Sequence, residues 1–468
     1  MIMKIFSTIL LAIFSILVQA QVPQGTLLGT WDDPALPGSA AYNNTYNEVW
    51  GVAVNGREFA ILGSTMGTHY IDVTDPANPV QVAFVPGKAT GSQIIHRDYD
   101  TYQNYIFGVC DEGPSSLQIM DISGLPDTVV LVNNSDSLIT RAHNGWIDTA
   151  TARFYALSVA GGAQGYQGMK VFDISDPVHP QFLWGGNVIE GFAFSHVHDA
   201  FVRNDTAYLN CGNNGLCVAD FSDPANPKLI GTMTSYAGQG YNHSGWLSAD
   251  GLTYYMADET HGSPMKAVDV SDFEDINLED AFDAESTALQ IVHNPVLACN
   301  LVYVAYYYDG LQVFDVSDPT NVQHVMYYPT STEVNTGSYM GAWGAYPLLP
   351  SGNILVSDMQ NGLFVVAALD TLCNKPPIVS GTVSPKIGQF VVSPQPSTTD
   401  VLVTLDFVVS GSVLWQLTDL SGRVVLSGSE KNRPTWNISV NQVVSGLYAL
   451  RLQLPDGQQL VQKVAIFR

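Results

Sequence analysis

One phrase recurs through the first 370 residues and constrains the fold more than any other feature of the chain. Ile71-Asp72-Val73-Thr74-Asp75-Pro76 returns as Met120-Asp121-Ile122-Ser123, Phe172-Asp173-Ile174-Ser175-Asp176-Pro177, Ala219-Asp220-Phe221-Ser222-Asp223-Pro224, Val268-Asp269-Val270-Ser271-Asp272 and Phe314-Asp315-Val316-Ser317-Asp318-Pro319. A degenerate seventh copy ends at Ala367-Ala368-Leu369-Asp370, and the Asp72-like positions lie 46 to 52 residues apart. A fixed period of this size signals stacked or circular repeats. Each unit holds about four short apolar strands, the size of one propeller blade. Asp and Ser in the phrase can bond their own backbone, and Pro then fixes φ while donating nothing. The last unit lacks a fourth strand, whereas Thr26-Leu27-Leu28-Gly29-Thr30 copies the fourth-strand pattern Lys228-Leu229-Ile230-Gly231-Thr232. An N-terminal strand completing the last unit would close a ring and remove the open edges of an uncapped array. The expected fold is therefore all-β, a seven-bladed β-propeller over 21–370.

Charge divides the chain in two. The whole carries 18 Lys+Arg against 43 Asp+Glu, a formal charge of −25, too few cations for the basic stripe that nucleic acid or anionic lipid requires. Residues 21–377 have a net charge of −28 and residues 378–468 a net charge of +2. Between them, Cys373-Asn374-Lys375-Pro376-Pro377 favours extended, solvated backbone, so a linker is expected over 371–390. Alternating runs such as Val401-Leu402-Val403-Thr404-Leu405 and Leu447-Tyr448-Ala449-Leu450 then predict a small C-terminal β-sandwich over 391–468.

At the other end, Lys4, an apolar run from Ile5 to Val18 and a cut after Ala20 read as a signal peptide over 1–20. No other stretch nears the roughly 18 apolar residues of a spanning helix, so no transmembrane segment is expected. Export permits disulfides. Cys211 and Cys217 flank the turn Gly212-Asn213-Asn214-Gly215 and are the candidate pair, and no CxxC spacing suggests a thiolate zinc site.

The C-terminal residues also carry a resemblance. Val392-Ser393-Pro394-Gln395-Pro396, Leu417-Thr418-Asp419-Leu420-Ser421-Gly422-Arg423-Val424-Val425, Ser445-Gly446-Leu447-Tyr448 and Lys463-Val464-Ala465-Ile466 resemble the type IX (Por) secretion C-terminal sorting domain, with Gln395 where Asn is usual. The resemblance implies recognition by the type IX secretion machinery, export across a bacterial outer membrane, and removal of the domain as the passenger is anchored or released. The repeat region resembles LVIVD-repeat propellers and, in overall form, the choice-of-anchor B family. That likeness implies a fold and a destination but no settled activity.

The candidate site comes from a second repeated position. Some 22–30 residues before each Asp turn stand Trp50, His96, His143, His198, His243, His293 and Trp343. In a propeller the first strand of each blade lines the central channel, so these residues would converge at one mouth as a ligand-binding ring. The next strand runs antiparallel and returns its end to the same face, bringing Asp111-Glu112, Asp258-Glu259, Asp309 and Asp358. Imidazoles suit divalent transition metals, and carboxylates bind harder ions or orient His. His96, His143, His198, His243, His293, Asp111, Glu112, Asp258 and Glu259 are thus the candidate ligands of a divalent metal. A repeated His can equally fix blade spacing through a backbone bond, so structural, metal-binding and catalytic uses all stay open.

Other residues point less far. His196 would extend the ring or sit at its rim, while His69, His179, His261 and His324 are expected in solvent. The acidic run from Asp272 to Asp280 lacks the Gly of an EF-hand loop and is expected to be a solvated loop. Tyr306-Tyr307-Tyr308 reads as strand packing, although a binding mouth can use such rings. Ser195 and Ser244 lack a nucleophile-elbow sequence, and no phosphate-cradling Gly loop occurs. The expectation is an exported bacterial surface module that binds a protein, glycan or small ligand without catalysis. The alternative is a metal-dependent oxidative or hydrolytic enzyme using the histidine mouth.

Overall fold

A computed structural model describes residues 22–284, 286–369, 390–393, 397–405, 412–419, 423–431, 433, 435–454 and 459–467. The expected signal peptide and nearly all of the expected linker lie outside these residues. The chain divides into two compact units near residue 381. Among the described residues no helix is long and apolar enough to cross a membrane.

The first unit is built from seven four-stranded antiparallel sheets, plus one two-stranded hairpin, Val188–Ile189 with Phe192–Ala193. Six of the seven are consecutive meanders. The seventh joins Ala342–Tyr346, Ile354–Asp358 and Gly362–Val366 to the N-terminal strand Leu27–Trp31, which pairs antiparallel with Gly362–Val366. The first strands are Tyr46–Val54, Arg97–Tyr102, Asn144–Asp148, Asp199–Arg203, Asn242–Leu247, Pro295–Ala298 and Ala342–Tyr346. Each packs beside the next, and the last packs against Tyr46–Val54, so the cycle closes.

The recurring phrase accounts for the recurring shape. In all six full copies the first Asp accepts the N–H two residues on, from Thr74, Ser123, Ser175, Ser222, Ser271 and Ser317, at 2.7–3.0 Å. Where a second Asp follows, it repeats the turn, Asp75 to Ala77 and Asp223 to Ala225 among them. These side chains substitute for the backbone partner a tight turn would otherwise lack. Just before each Asp the third strand slips register against the fourth, as between Tyr70 and Ile71 or between Val313 and Phe314, a bulge that bends and twists the outer edge. The acidic run 272–280 is only partly a loop, since Asn277–Phe282 is the outer strand of its sheet.

The core lies between sheets. Tyr155, Leu157 and Val171 meet Ala200, Leu209 and Cys217 across one gap. Tyr46, Leu62 and Ile71 meet Tyr346, Leu355 and Val365 across the gap that joins first sheet to last. Each sheet is thus apolar on both faces, and a single sheet could not bury itself. Cys211 and Cys217 are free thiols. Cys217 pairs with Leu209 in the hairpin register, so Cys211 falls two residues out of step with it.

The second unit has a three-stranded sheet, Phe390–Ser393, Asp400–Leu405 and Thr435–Ser439, and a four-stranded sheet of Val424–Lys431, Ser412–Asp419, Gly446–Gln453 and Gln459–Ile466. Val401, Val403 and Trp436 from the first share a core with Leu417, Leu450 and Val464 from the second.

Candidate functional site

Six of the seven expected ring positions converge at the start of the inner strands. His96 stacks on His143 with centroids 4.3 Å apart, His143 meets His198 edge-on at 4.1 Å, and His198 and His243 lie 3.9 Å apart. His243 to His293 is 4.5 Å, His293 to Trp343 is 4.7 Å, and Trp343 returns to His96 at 5.5 Å, closing a circle. A bulge aims two of these side chains inward: pairing skips His243 between Asn242 and Ser244, and Trp343 between Ala342 and Gly344.

Trp50 is a correction. Its indole donates to Thr101 Oγ1 at 2.7 Å and packs on Tyr346 at 4.9 Å, further along the strand from the ring. The register aligns Trp50 with Trp246 and Tyr346, and places Asn47 at the bulge where the other strands carry His243 and Trp343. Asn47 lies 25 residues before Asp72 and Trp50 lies 22 before it, so both fit the spread of the repeat and spacing alone does not separate them.

Hydrogen bonds order the circle. His143 Nδ1 faces Asp111 Oδ2 at 2.8 Å, and His143 Nε2 faces His198 Nε2 at 2.8 Å. If Nδ1–H of His143 donates to the carboxylate, its Nε2 accepts from His198, leaving His198 Nδ1 as a bare lone pair, an assignment of tautomers from the network. That atom is buried without a partner, as are Nδ1 of His96 and of His243. His293 Nδ1 bonds Trp343 O at 2.5 Å. Burial holds His96, His198 and His243 well below the usual imidazole range, and neighbouring imidazoles press them lower. Burial takes His293 to about 3. These rings are neutral at pH 7, the form that ligates metals.

The carboxylates separate into two kinds. His198, His243 and Glu259 each present a ligand atom within 4.8 Å of the other two, and His243 Nε2 stands 3.7 Å from Glu259 Oε2. Burial raises Glu259 to about 7 despite the Tyr307 hydroxyl, which donates to Oε1 at 2.6 Å. Burial also pushes Asp111 up, but the hydrogen bond from His143 and the neighbouring positive groups outweigh it and hold it low. Glu112 instead accepts the N–H groups of Ile95 and His96 at 3.0 and 3.1 Å. Asp258 is fully buried against Lys266 Nζ at 3.0 Å and accepts from Tyr236 and Gly240. Asp358 accepts from Gln360 and Asn361 backbone, and Asp309 is half-buried away from the circle. Glu112 and Asp258 are therefore occupied as structural acceptors.

A cavity of about 200 Å³ opens over the circle, walled by Tyr42, Tyr307 and Tyr339 beside His143, His198, His243, His293, Glu259 and Trp343. Of the tyrosine run, Tyr307 lines the mouth, the second of the two uses open to it. It holds a left-handed backbone at φ 44°, pinned by two bonds with Ala342, the kind of constrained conformation that clusters at functional sites. His196 sits at the rim, bonded to Ser158 and 5.4 Å from His198. His179 and His261 are exposed and His324 is half-buried. His69, expected in solvent, is buried between Gln81 and Ser64 because it lies in the third strand of its sheet and not in a turn.

Four-stranded meanders packed face to face around a shared channel make the larger unit a β-propeller. The sequence carries the LVIVD repeat at 196–235 and 297–330 and the secretion system C-terminal sorting domain at 391–467. The sorting domain marks the chain for secretion and attachment to the outer cell surface. No curated protein sequence matches the chain significantly. Among solved structures it is similar to the extracellular domain of a protein assigned as a one component system from B. thetaiotaomicron, at 13% identity and TM-score 0.46, covering 91% of this chain. The chain spans 57% of that protein's length. It is also similar to the RRP9 WD40 repeats, at 10% identity and TM-score 0.49 over 74% of this chain and 99% of that one. The Cps50 (Swd1) β-propeller domain of Myceliophteria thermophila gives 11% and 0.49 over 74% and 100%.

Proposed function

We propose that this is an exported surface module, a seven-bladed β-propeller over 21–370 followed by a linker and a β-sandwich sorting domain over 391–468, that binds a ligand at its histidine-ringed channel mouth through a divalent transition metal. The signal peptide over 1–20 and the type IX machinery would deliver it. The observation that carries the reading is the triad His198, His243 and Glu259, whose ligand atoms lie within 4.8 Å of each other on the floor of an open cavity. Two neutral imidazoles and a carboxylate suit Zn²⁺, Fe²⁺ or Cu²⁺. His143, oriented by Asp111, supports His198 from behind as metal-ligating histidines are usually supported. The tyrosines around the opening supply the apolar walls and few polar groups of a small-molecule site.

Metal analysis of full chain purified without chelator tests this. The expected result is close to one equivalent of a transition metal, lost in His198→Ala/His243→Ala while the fold, followed by circular dichroism, is kept. Less than about a tenth of an equivalent, unchanged by the substitutions, overturns the reading. A second reading, a metal-dependent hydrolase or oxygenase, is favoured by the donor set itself, because two histidines and one carboxylate leave coordination positions open to water or substrate. Turnover of ester or phosphoester substrates, or uptake of oxygen, by metal-loaded protein but not by the double variant would select it.

A further inference from the structure

Beyond the histidine circle, the same inner strands carry two further levels of side chains that the mouth does not use. One to four residues along, Glu48, Asp98, Asp100, Asn144, Asp199 and Asn294 line a chamber of about 50 Å³. Glu48 and Asp100 are buried, Asp98 and Asp199 half-buried. No ion pair among the described residues reaches any of these four carboxyls. Arg97, beside Asp98 in sequence, turns away to Ser64 O and Ala89 O. Asn144 is 4% exposed, and its Oδ1 faces this chamber without a partner. Glu48 accepts from Val49 N–H and Asn294 Nδ2, Asp98 from Gly145 N–H, Asp100 from Thr101 and Ile147 N–H, and Asp199 from Ala200 N–H, so each carboxyl keeps further lone pairs. The orphans of this level, Asn144 Oδ1 and Asn294 Oδ1, are acceptors.

The next level is aromatic. At the far end of the inner strands a pocket of about 380 Å³ is walled by Trp50, Trp146, Phe201, Trp246 and Tyr346, and it shares Trp50, Asp100, Trp146 and Trp246 with the chamber. Trp146 lies 5.1 Å from Trp246 and 4.7 Å from Phe201. The N–H groups of Trp50 and Trp146 are spent on Thr101 and on Val202 O, so these half-buried indoles present faces and not donors. A ring face attracts a cation, and unpaired acceptors want a ligand made of donors.

We propose that this end of the channel binds a small alkylammonium ion, its methylene chain against the indole faces and its ammonium N–H groups on Asp100 and the neighbouring chamber acceptors. The chamber has room for an ammonium head or a few waters, and excludes a bulky quaternary group. The site is separate from the histidine mouth and does not depend on a metal there.

The test is titration of the full chain with 1,5-diaminopentane, read by tryptophan fluorescence and by calorimetry, against the neutral isostere 1,5-pentanediol and against Ca²⁺. Saturable diamine binding, at least about tenfold tighter than the diol, is expected. Trp146→Ala and Asp100→Asn should each weaken it at least about tenfold, with Glu48→Gln as the second carboxyl variant should Asp100→Asn fail to fold. His198→Ala/His243→Ala should leave it within about twofold, which keeps a failure here distinct from a failure at the mouth. Equal binding of diol and diamine, absence of saturable diamine binding, or Ca²⁺ bound in its place overturns the proposal.

Discussion

The two ends of the inner strands are made by one repeat, yet their chemistry is opposite. At the start, six of the seven sheets present an imidazole or indole around an open mouth. Three residues on, the same strands present Trp50, Trp146, Phe201, Trp246 and Tyr346, with four carboxyls between the levels. Duplication fixes where a side chain stands, and the residue at each position then diverges. Burial acts on both ends, but with opposite sign: it keeps the imidazoles neutral by lowering them, and it raises Glu48 and Asp100 to about 7, so that they carry charge only in part near neutral pH.

The largest expected effect separates the adjacent carboxylates Asp258 and Glu259. Asp258→Ala leaves the Lys266 ammonium buried without its partner, and breaking such a pair costs about 3–5 kcal/mol. Urea unfolding should show that loss. Glu259→Gln should change stability far less and remove the bound metal instead. Similar losses of stability in both variants would erase the distinction between structural and site carboxylate.

Next in size is the pH dependence of metal-free protein. Asp100 is near 7 in the native state and 3.8 unperturbed. Between those values the native state keeps a proton the unfolded chain releases, so its contribution is complete at low pH and lost as pH rises through 7. His293, near 3 in the native state and 6.5 unperturbed, does the reverse: its contribution is complete above pH 6.5 and lost as pH falls toward 3. Asp100→Asn should therefore stabilise at pH 8, by at most about 4 kcal/mol, and little at pH 4. His293→Gln should gain on wild type as pH is lowered from 8 to 4. Denaturation curves at both pH values check the signs, and a shared direction would break the comparison.

Much of this architecture was legible because it repeats. Six Asp turns within a narrow period marked the sheets, and the match of Leu28-Gly29-Thr30 to Ile230-Gly231-Thr232 placed the N-terminal strand in the last one. The five histidines and Trp343 were legible for the same reason. What failed was local. A bulge changes which residue faces inward without changing composition, so the spacing does not distinguish Asn47 from Trp50. Packing and a place at the mouth both stay open for Tyr307 in the sequence, because a left-handed backbone leaves no mark in an apolar run. Asp258 and Glu259 are neighbours in sequence, and only the position of Lys266 on the adjoining strand tells them apart. The aromatic end drew no notice because Trp146, Phe201 and Trp246 sit at ordinary strand positions and acquire meaning only when seven strands bring them together.

The smallest expected effect tests the repeat itself. Asp223 is fully exposed, and its carboxylate accepts from Ala225 N–H at 3.1 Å and from Asn226 Nδ2 at 3.0 Å. Asp220 lies one step earlier and accepts from Ser222 N–H at 2.7 Å. Both turns join the third and fourth strands of a sheet. Asp220→Ala should cost about 0.5–1.5 kcal/mol, the net worth of a hydrogen bond that water partly replaces, Asp223→Ala should cost less, and both should leave metal and diamine binding unchanged. If either substitution altered binding at one end and not at the other, the outer turns would be coupled to that end alone. The Asp phrase would then have to be treated as part of a site as well as the device that shapes each sheet.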